Sequence, residues 1–240
     1  MRVLLLFFIC CCFLPRAWAQ LPAPGQWRDH LEFQPAFKVA LAPDRAFVST
    51  RQGVFSVTYD ENEVERYSKV NRLSDIGVRT IGWNPQGEQL LIAYNNSNLD
   101  VLYRNDVINI PFIFRSNISG DKTINEISFV GNRAYLSTNL GIVVVNLDRY
   151  EISSTYIIGN GGVQVRVYGF AAANGKFYAA TEEGLKVANQ NSANLADFNN
   201  WTLLSNANGL PQGPVRQVLS INNTISVSYT HLTLPTNREV

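Results

Sequence analysis

The sequence predicts an all-β protein, namely an incomplete β-propeller of four-stranded blades with about four blades and the start of a fifth. Three observations predict it. A strand-turn-strand segment recurs at blade length, a glycine or asparagine stands near the turn of each copy, and no segment has a sustained helical period with caps. A β-sandwich also has short strands at regular spacing, but it does not predict side chains that repeat at a fixed period.

The repeat has three strong copies and one weak copy. They are Ala46–Val57, Leu90–Val101 (the weak copy), Ala134–Val145 and Phe177–Val187. Their anchor residues Thr50, Tyr94, Thr138 and Thr181 are 44, 44 and 43 residues apart. This spacing is typical of a four-stranded propeller blade.

Turn residues mark the hairpin inside each copy. Gly53, Gly141 and Gly184 stand where we expect a positive φ, and Asn98 stands close to that place in the weak copy. Before the last copy, Asn174-Gly175 is a strong signal for a two-residue hairpin turn.

A second strand pair completes each unit. Val54–Tyr59 and Val64–Tyr67 flank an acidic turn, and Ile142–Leu147 and Glu151–Tyr156 flank another polar turn. One turn of helix is expected between residues 194 and 200.

The first 19 residues are expected to be a signal peptide. Arg2 precedes an apolar run from Val3 to Leu14, and Ala17-Trp18-Ala19 fits the small-x-small cleavage rule. A membrane anchor is the alternative, but the run is short for ~30 Å of hydrocarbon and Pro15-Arg16 ends it. We therefore expect export, with a location at the cell surface or outer membrane, or alternatively in the periplasm.

All three cysteines, Cys10 to Cys12, fall inside this signal. The expected mature chain therefore has no disulfide, zinc-cysteine site or thiol nucleophile. The chain has 20 basic and 19 acidic residues, and this balance gives no reason to expect nucleic acid as a partner.

No catalytic, cofactor-binding or metal-binding residue is assigned, and the residues that bind a ligand or partner remain unknown at this point. Gly159–Gly162 lacks the Lys-Ser or Lys-Thr of a phosphate loop, so it is expected to join two blades. Several carboxylates are expected to be solvated charges at or beside turns, and these are Asp60, Glu61, Glu63, Glu65, Glu182 and Glu183. We expect no enzyme and no cofactor.

Aromatic residues supply core candidates. Phe47, Tyr135 and Tyr178 fall on alternating strand positions, and Trp83 is placed to pack between blades. Trp27 and Trp201 are left unassigned.

Two linker segments carry a further pattern. Val70–Ile81 and Asn208–Val218 resemble the "N-G-L-S-D … V … I" repeat of two-component-regulator propellers. Ser74 and Asp75 are expected to cap a turn through their side chains, and Leu73 and Leu210 to fill the space between blades. Arg72 replaces the usual glycine, which predicts a turn without positive φ there.

Longer segments resemble the PorZ family. They are Gly25–Leu31, Arg66–Gly77, Asn117–Asn125, Ala134–Asp148 and Asp197–Trp201, and the resemblance runs from Gln20 to about Ile225. Members are surface components of the type IX secretion system of Bacteroidetes, with two propellers and a C-terminal β-sandwich.

The resemblance implies a non-catalytic partner of the attachment complex and its sortase, which helps to deliver anionic lipopolysaccharide to that enzyme. The family's lipopolysaccharide contact is associated with a C-terminal domain that this chain lacks. Two alternatives remain. The extracytoplasmic sensor of a hybrid two-component regulator would use the same repeat, whereas a propeller enzyme would need clustered acids or histidines at the ring centre.

Residues 20–226 are therefore expected to be a truncated N-terminal propeller, and residues 227–240 not to be native protein. Val227–Thr236 matches the translation of a transposon-tagmentation sequencing adaptor, so the native gene is expected to continue past about Ser226. His231 would then be foreign, and His30 the only native histidine.

Overall fold

The fold is that of a computed structural model, which describes residues 33–204 and 206–229. The predicted signal peptide, Trp27, His30 and His231 lie outside these residues. The described chain forms five antiparallel sheets, four with four strands and one with two.

The strands follow the chain order within each sheet. Blade 1 contains β1 (Lys38–Leu41), β2 (Arg45–Ser49), β3 (Gly53–Thr58) and β4 (Val64–Ser68). Blade 2 contains β5 (Val78–Asn84), β6 (Gln89–Tyr94), β7 (Leu99–Tyr103) and β8 (Asp106–Ile110). Blade 3 contains β9 (Ile124–Val130), β10 (Arg133–Thr138), β11 (Gly141–Asn146) and β12 (Glu151–Tyr156). Blade 4 contains β13 (Val167–Ala173), β14 (Lys176–Thr181), β15 (Gly184–Asn189) and β16 (Thr202–Leu204). Blade 5 contains β17 (Gln217–Ile221) and β18 (Thr224–Ser228).

The first strands of successive blades pack side by side in the order β1, β5, β9, β13 and β17. This arrangement places them around a common axis, as in a propeller, and confirms the predicted fold class. Within residues 33–204 and 206–229, helical structure is confined to single turns, namely α1 (Phe112–Arg115) and the 3₁₀ turns Asn160–Gly162, Phe198–Asn200 and Asn206–Asn208. The turn at Phe198–Asn200 falls where one was predicted.

A buried threonine closes the middle hairpin of blades 1, 3 and 4. The hydroxyl of Thr50, Thr138 or Thr181 donates to the carbonyl of the glycine three residues later, over 3.1, 2.9 and 2.7 Å respectively. A buried polar group without a partner is costly, so each of these bonds satisfies a threonine that packing has removed from water.

The glycines of these turns are required for two different reasons. Gly141 and Gly184 have φ of 140° and 134°, which confirms the positive φ expected there. Gly53 lies outside the left-handed region, so that expectation is wrong for blade 1. Glycine is required at position 53 on steric grounds, because a Cβ on Gly53 would lie 2.2 Å from the carbonyl oxygen of Tyr67.

Blade 2 replaces the threonine with a buried tyrosine. The Tyr94 hydroxyl donates to the Asp100 carboxylate over 2.5 Å, and Asp100 also accepts from the Ser74 amide over 2.8 Å. Burial, followed by the charge of Asp100, raises the pKa of Tyr94. The turn is one residue longer than in the other blades. The sequence indicated a positive φ near Asn98, whereas the positive φ of 67° falls on Ser97.

Aromatic side chains join neighbouring blades. Trp83 stacks on Phe47 with 5.7 Å between ring centroids, and Tyr135 stacks on Phe170 of blade 4 at 4.5 Å. Tyr178 is half-buried against the cluster that contains Val218. The predicted core roles of these residues are confirmed.

The linker pattern behaves largely as predicted. Leu73 is buried, Leu210 is half-buried, and Arg72 has no positive φ. The Asp75 carboxylate accepts from the Ile76 amide over 2.9 Å and so caps the turn. Ser74 differs, because it contributes its backbone amide to Asp100.

The last strand reaches beyond the expected end of native sequence. β18 includes residues 227 and 228, the first two of the segment expected to be foreign. That boundary stays a prediction.

We expect Gly141→Ala to destabilise the fold by about 3 kcal/mol or more, because the new Cβ would lie 2.2 Å from the Tyr156 carbonyl oxygen in addition to the strain of positive φ. Gly161→Ala is the matched control, since Gly161 has φ of 73° and nothing within 4 Å of an added Cβ. It should cost about 1 kcal/mol. Urea denaturation measures both, and equal losses would contradict the steric argument.

Candidate functional site

A cavity of about 600 Å³ lies where the inner strands begin. All five blades contribute a side chain to its wall: Lys38 from β1, Arg79 from β5, Asn125 from β9, Tyr168 from β13 and Gln217 from β17. Its volume is in the range of small-molecule sites in proteins. We call this cavity the channel mouth.

A β-bulge recurs in three of the inner strands. The pairing of β5, β9 and β13 with their neighbours skips one residue each, and the skipped residues are Arg79, Asn125 and Tyr168. A bulge breaks the strict alternation of a strand and redirects a side chain. All three bulged residues line the channel mouth, so the fold presents one of them from each of blades 2, 3 and 4.

The charge of the channel mouth is predominantly positive. Its wall contains four cations, Lys38, Arg79, Arg166 and Arg216, and two carboxylates. One carboxylate, Glu126, accepts from Lys38 over 2.8 Å, and both side chains are about a third exposed. This pair joins the inner strands of blades 1 and 3.

The other carboxylate, Asp121, is held by several donors. It accepts from the Thr123 amide over 2.9 Å, from the Thr123 hydroxyl over 2.6 Å and from the Asn139 side chain. These hydrogen bonds lower the pKa of Asp121, with a smaller contribution from Arg166. Asp121 is therefore kept ionised and is unsuited to the role of a general acid.

The three arginines of the mouth, Arg79, Arg166 and Arg216, differ from Lys38. Within residues 33–204 and 206–229, none of the three has a carboxylate within 4.0 Å. The Arg216 guanidinium lies 4.4 Å from the centroid of the Tyr168 ring, which is the geometry of a cation–π contact. The arrangement can hold a group rich in negatively charged oxygen atoms.

The carboxylates singled out from the sequence lie away from this cavity. Asp60, Glu61, Glu63 and Glu182 are exposed, as predicted. Glu65 and Glu183 differ, because Glu65 pairs with Arg72 over 2.8 Å and Glu183 with Lys186 over 2.7 Å.

The glycine-rich segment Gly159–Gly162 joins blades 3 and 4, as predicted. The Asn160 amide donates to the Glu183 carboxylate over 3.1 Å, and buried Lys186 donates to the Ile158 carbonyl over 2.5 Å. These bonds tie the loop to a turn of blade 4.

Trp201, left unassigned from the sequence, is buried, and its indole N–H donates to the Leu195 carbonyl over 2.9 Å.

Sequence reasoning missed the arginines of the channel mouth. A signal was present, because Val78-Arg79 and Val215-Arg216 stand at the same place in the two linker patterns.

In the parts of the chain that the structure describes, no cluster of three or more histidine, cysteine or acidic residues is placed to hold a metal ion. No described helix is long and apolar enough to cross a membrane.

A family model matches most of the chain. The model is described as the N-terminal beta-propeller domain of PorZ, TSS9, and it matches residues 46–202. No curated protein matches the chain.

Solved structures with the same fold include PorZ, an essential surface component of the type IX secretion system of Porphyromonas gingivalis. It is 27% identical with a TM-score of 0.73, over 82% of this chain and 26% of that one. The extracellular domain of the putative hybrid two-component system BT4673 from B. thetaiotaomicron is 13% identical with a TM-score of 0.64, over 84% of this chain and 27% of that one. The WD40 propeller of Doa1 is 15% identical with a TM-score of 0.55, over 79% of this chain and 58% of that one. The chain thus spans about a quarter of the length of the first two.

The hydrogen bonds of Asp121 predict a specific pH dependence. Since its folded pKa lies below the ordinary value of 3.8, the ionised group contributes stability above that pH and loses it as the pH falls through the lowered pKa. Thr123→Val removes the hydroxyl donor to Asp121 and should raise the pKa of Asp121 toward 3.8.

Carboxyl chemical shifts measured by NMR across an acid titration test this expectation. Thr123→Ser keeps the hydroxyl and is the control, so it should leave the pKa low. An unchanged pKa in Thr123→Val would contradict the assignment.

Proposed function

The chain belongs to the PorZ N-terminal β-propeller family, and from this premise we propose that it is a non-catalytic binding propeller of a type IX secretion apparatus at the cell surface. The observation that carries the proposal is the family match over residues 46–202, together with 27% identity to PorZ of P. gingivalis. The chain spans only 26% of that structure, so the secretion role of the whole protein is a proposal.

The geometry of the channel mouth supports binding over catalysis. Its two carboxylates are occupied, since Glu126 accepts from Lys38 and Asp121 accepts from Thr123 and Asn139. General acid–base work needs a carboxyl group with a raised pKa or one free to take a proton. What the cavity offers a ligand is positive charge and hydrogen-bond donors.

The finer proposal concerns the attachment step. We infer that the protein acts as a scaffold beside the sortase and helps to deliver anionic lipopolysaccharide to it. A row of packed blades suits such a scaffold, because the packed inner strands and the interblade aromatic stacks hold the loops in position. The lipopolysaccharide contact is proposed to belong to a C-terminal domain, and so outside residues 20–226.

A sensor domain is the second candidate function. The linker patterns of residues 70–81 and 208–218 and the fold shared with the BT4673 extracellular domain favour it. At 13% identity this likeness concerns the fold alone, so the sensor ranks second. In both candidates the propeller works outside the cytoplasm.

Reading the gene in the source DNA past codon 226 distinguishes the two candidates. Continuation into further β-structure without a membrane-spanning segment fits the secretion proposal. Continuation into a transmembrane helix and a histidine kinase would replace it with the sensor.

We expect the full-length, affinity-tagged protein to co-purify with the sortase after cross-linking on intact cells of the source bacterium. Surface proteolysis of the same cells should remove the tag, because the proposed location is external. An unrelated exported protein with the same tag is the control. Recovery without the sortase, or with a kinase as part of the same polypeptide, would overturn the secretion proposal.

A further inference from the structure

The channel mouth holds more positive charge than its own carboxylates balance. Four cations face two carboxylates, whereas the whole chain has a net charge of only +1. Glu126 is engaged with Lys38, and Asp121 is the acidic neighbour of Arg166. In the portion of the chain described, none of the three arginines has a carboxylate within 4.0 Å, and Arg79 and Arg216 also do not contribute to the lowered pKa of Asp121.

The backbone of Arg79 and Arg216 is fixed at the cavity by buried neighbouring residues. Arg79 is the bulged residue between Val78 and Thr80, both of which are buried. Arg216 follows Val215, which is buried, and its guanidinium lies on the Tyr168 ring. Ordering before binding lowers the entropy lost when a ligand arrives.

The third bulged position adds an acceptor. The Asn125 amide nitrogen donates to Asn139 Oδ1 and to the Val167 carbonyl, each over 2.8 Å. These bonds fix the orientation of the amide and leave its carbonyl oxygen as an acceptor. A hydroxyl group next to the anionic group of a ligand would match it.

We propose that the channel mouth binds a small hydroxylated anion, with Arg79 and Arg216 holding its carboxylate or phosphate group and Asn125 accepting from a neighbouring hydroxyl. Guanidinium groups suit both anions because their planar donors match pairs of oxygen atoms. The proposal goes beyond the secretion role and does not rest on it, since it concerns a ligand of this propeller alone.

Isothermal titration of the full chain with glucuronate, glucose 6-phosphate and neutral glucose tests the proposal at about 50 mM salt, where screening is moderate. We expect at least one of the two anions to bind at least about tenfold more tightly than glucose. Which anion binds better identifies the charged group, and either result supports the site.

Variants locate the binding. Arg79→Gln and Arg216→Gln should each weaken the binding of the preferred anion by about tenfold, and the double variant should abolish it. Arg149→Gln is the control, because Arg149 is an exposed arginine outside the cavity and should change nothing.

Arg216→Lys keeps the charge but loses the planar contact with Tyr168, so we expect an intermediate affinity. Together with Arg79→Gln, it decides the matter if Arg216→Gln fails to fold. Equal binding of glucose and the anions, no binding of either anion, or unchanged affinity in Arg79→Gln would overturn the proposal. Since the assay uses purified protein, its failure is separate from a failure to co-purify the sortase.

Discussion

The hydrogen bond from a buried threonine to a glycine carbonyl is the interaction on which the architecture depends. It closes the middle hairpin of blades 1, 3 and 4, and in blade 2 the Tyr94–Asp100 pair lies in its place. A fixed middle hairpin sets the register of the whole blade, which in turn positions the inner strand. The aromatic stacks between blades then align successive inner strands around one axis.

That alignment is what makes a binding surface out of separate repeats. Each of blades 2, 3 and 4 places its bulged residue in the wall of the same cavity, although the residues are as different as Arg79, Asn125 and Tyr168. The repeat therefore conserves a position and not a chemistry. Such a scaffold can change what it binds without changing how it folds, because the bulged side chain contributes little to the core.

The sequence was sufficient for the blades and insufficient for the site. Alternating strands, the Asn174-Gly175 turn and the 44-residue spacing of Thr50 and Tyr94 predict the sheets directly. A bulge leaves no such pattern, because one inserted residue only shifts the alternation. The steric need for Gly53 was equally hidden, since it arises from the Tyr67 carbonyl on the neighbouring strand β4.

An in-frame deletion of the gene in its source bacterium, complemented with the wild-type copy, tests the secretion account most directly. The quantity to measure is the fraction of type IX cargo protein that remains attached to the cell surface. The account predicts that cargo is released or retained inside the envelope in the deletion strain and that attachment returns on complementation. Normal attachment in the deletion strain would contradict it.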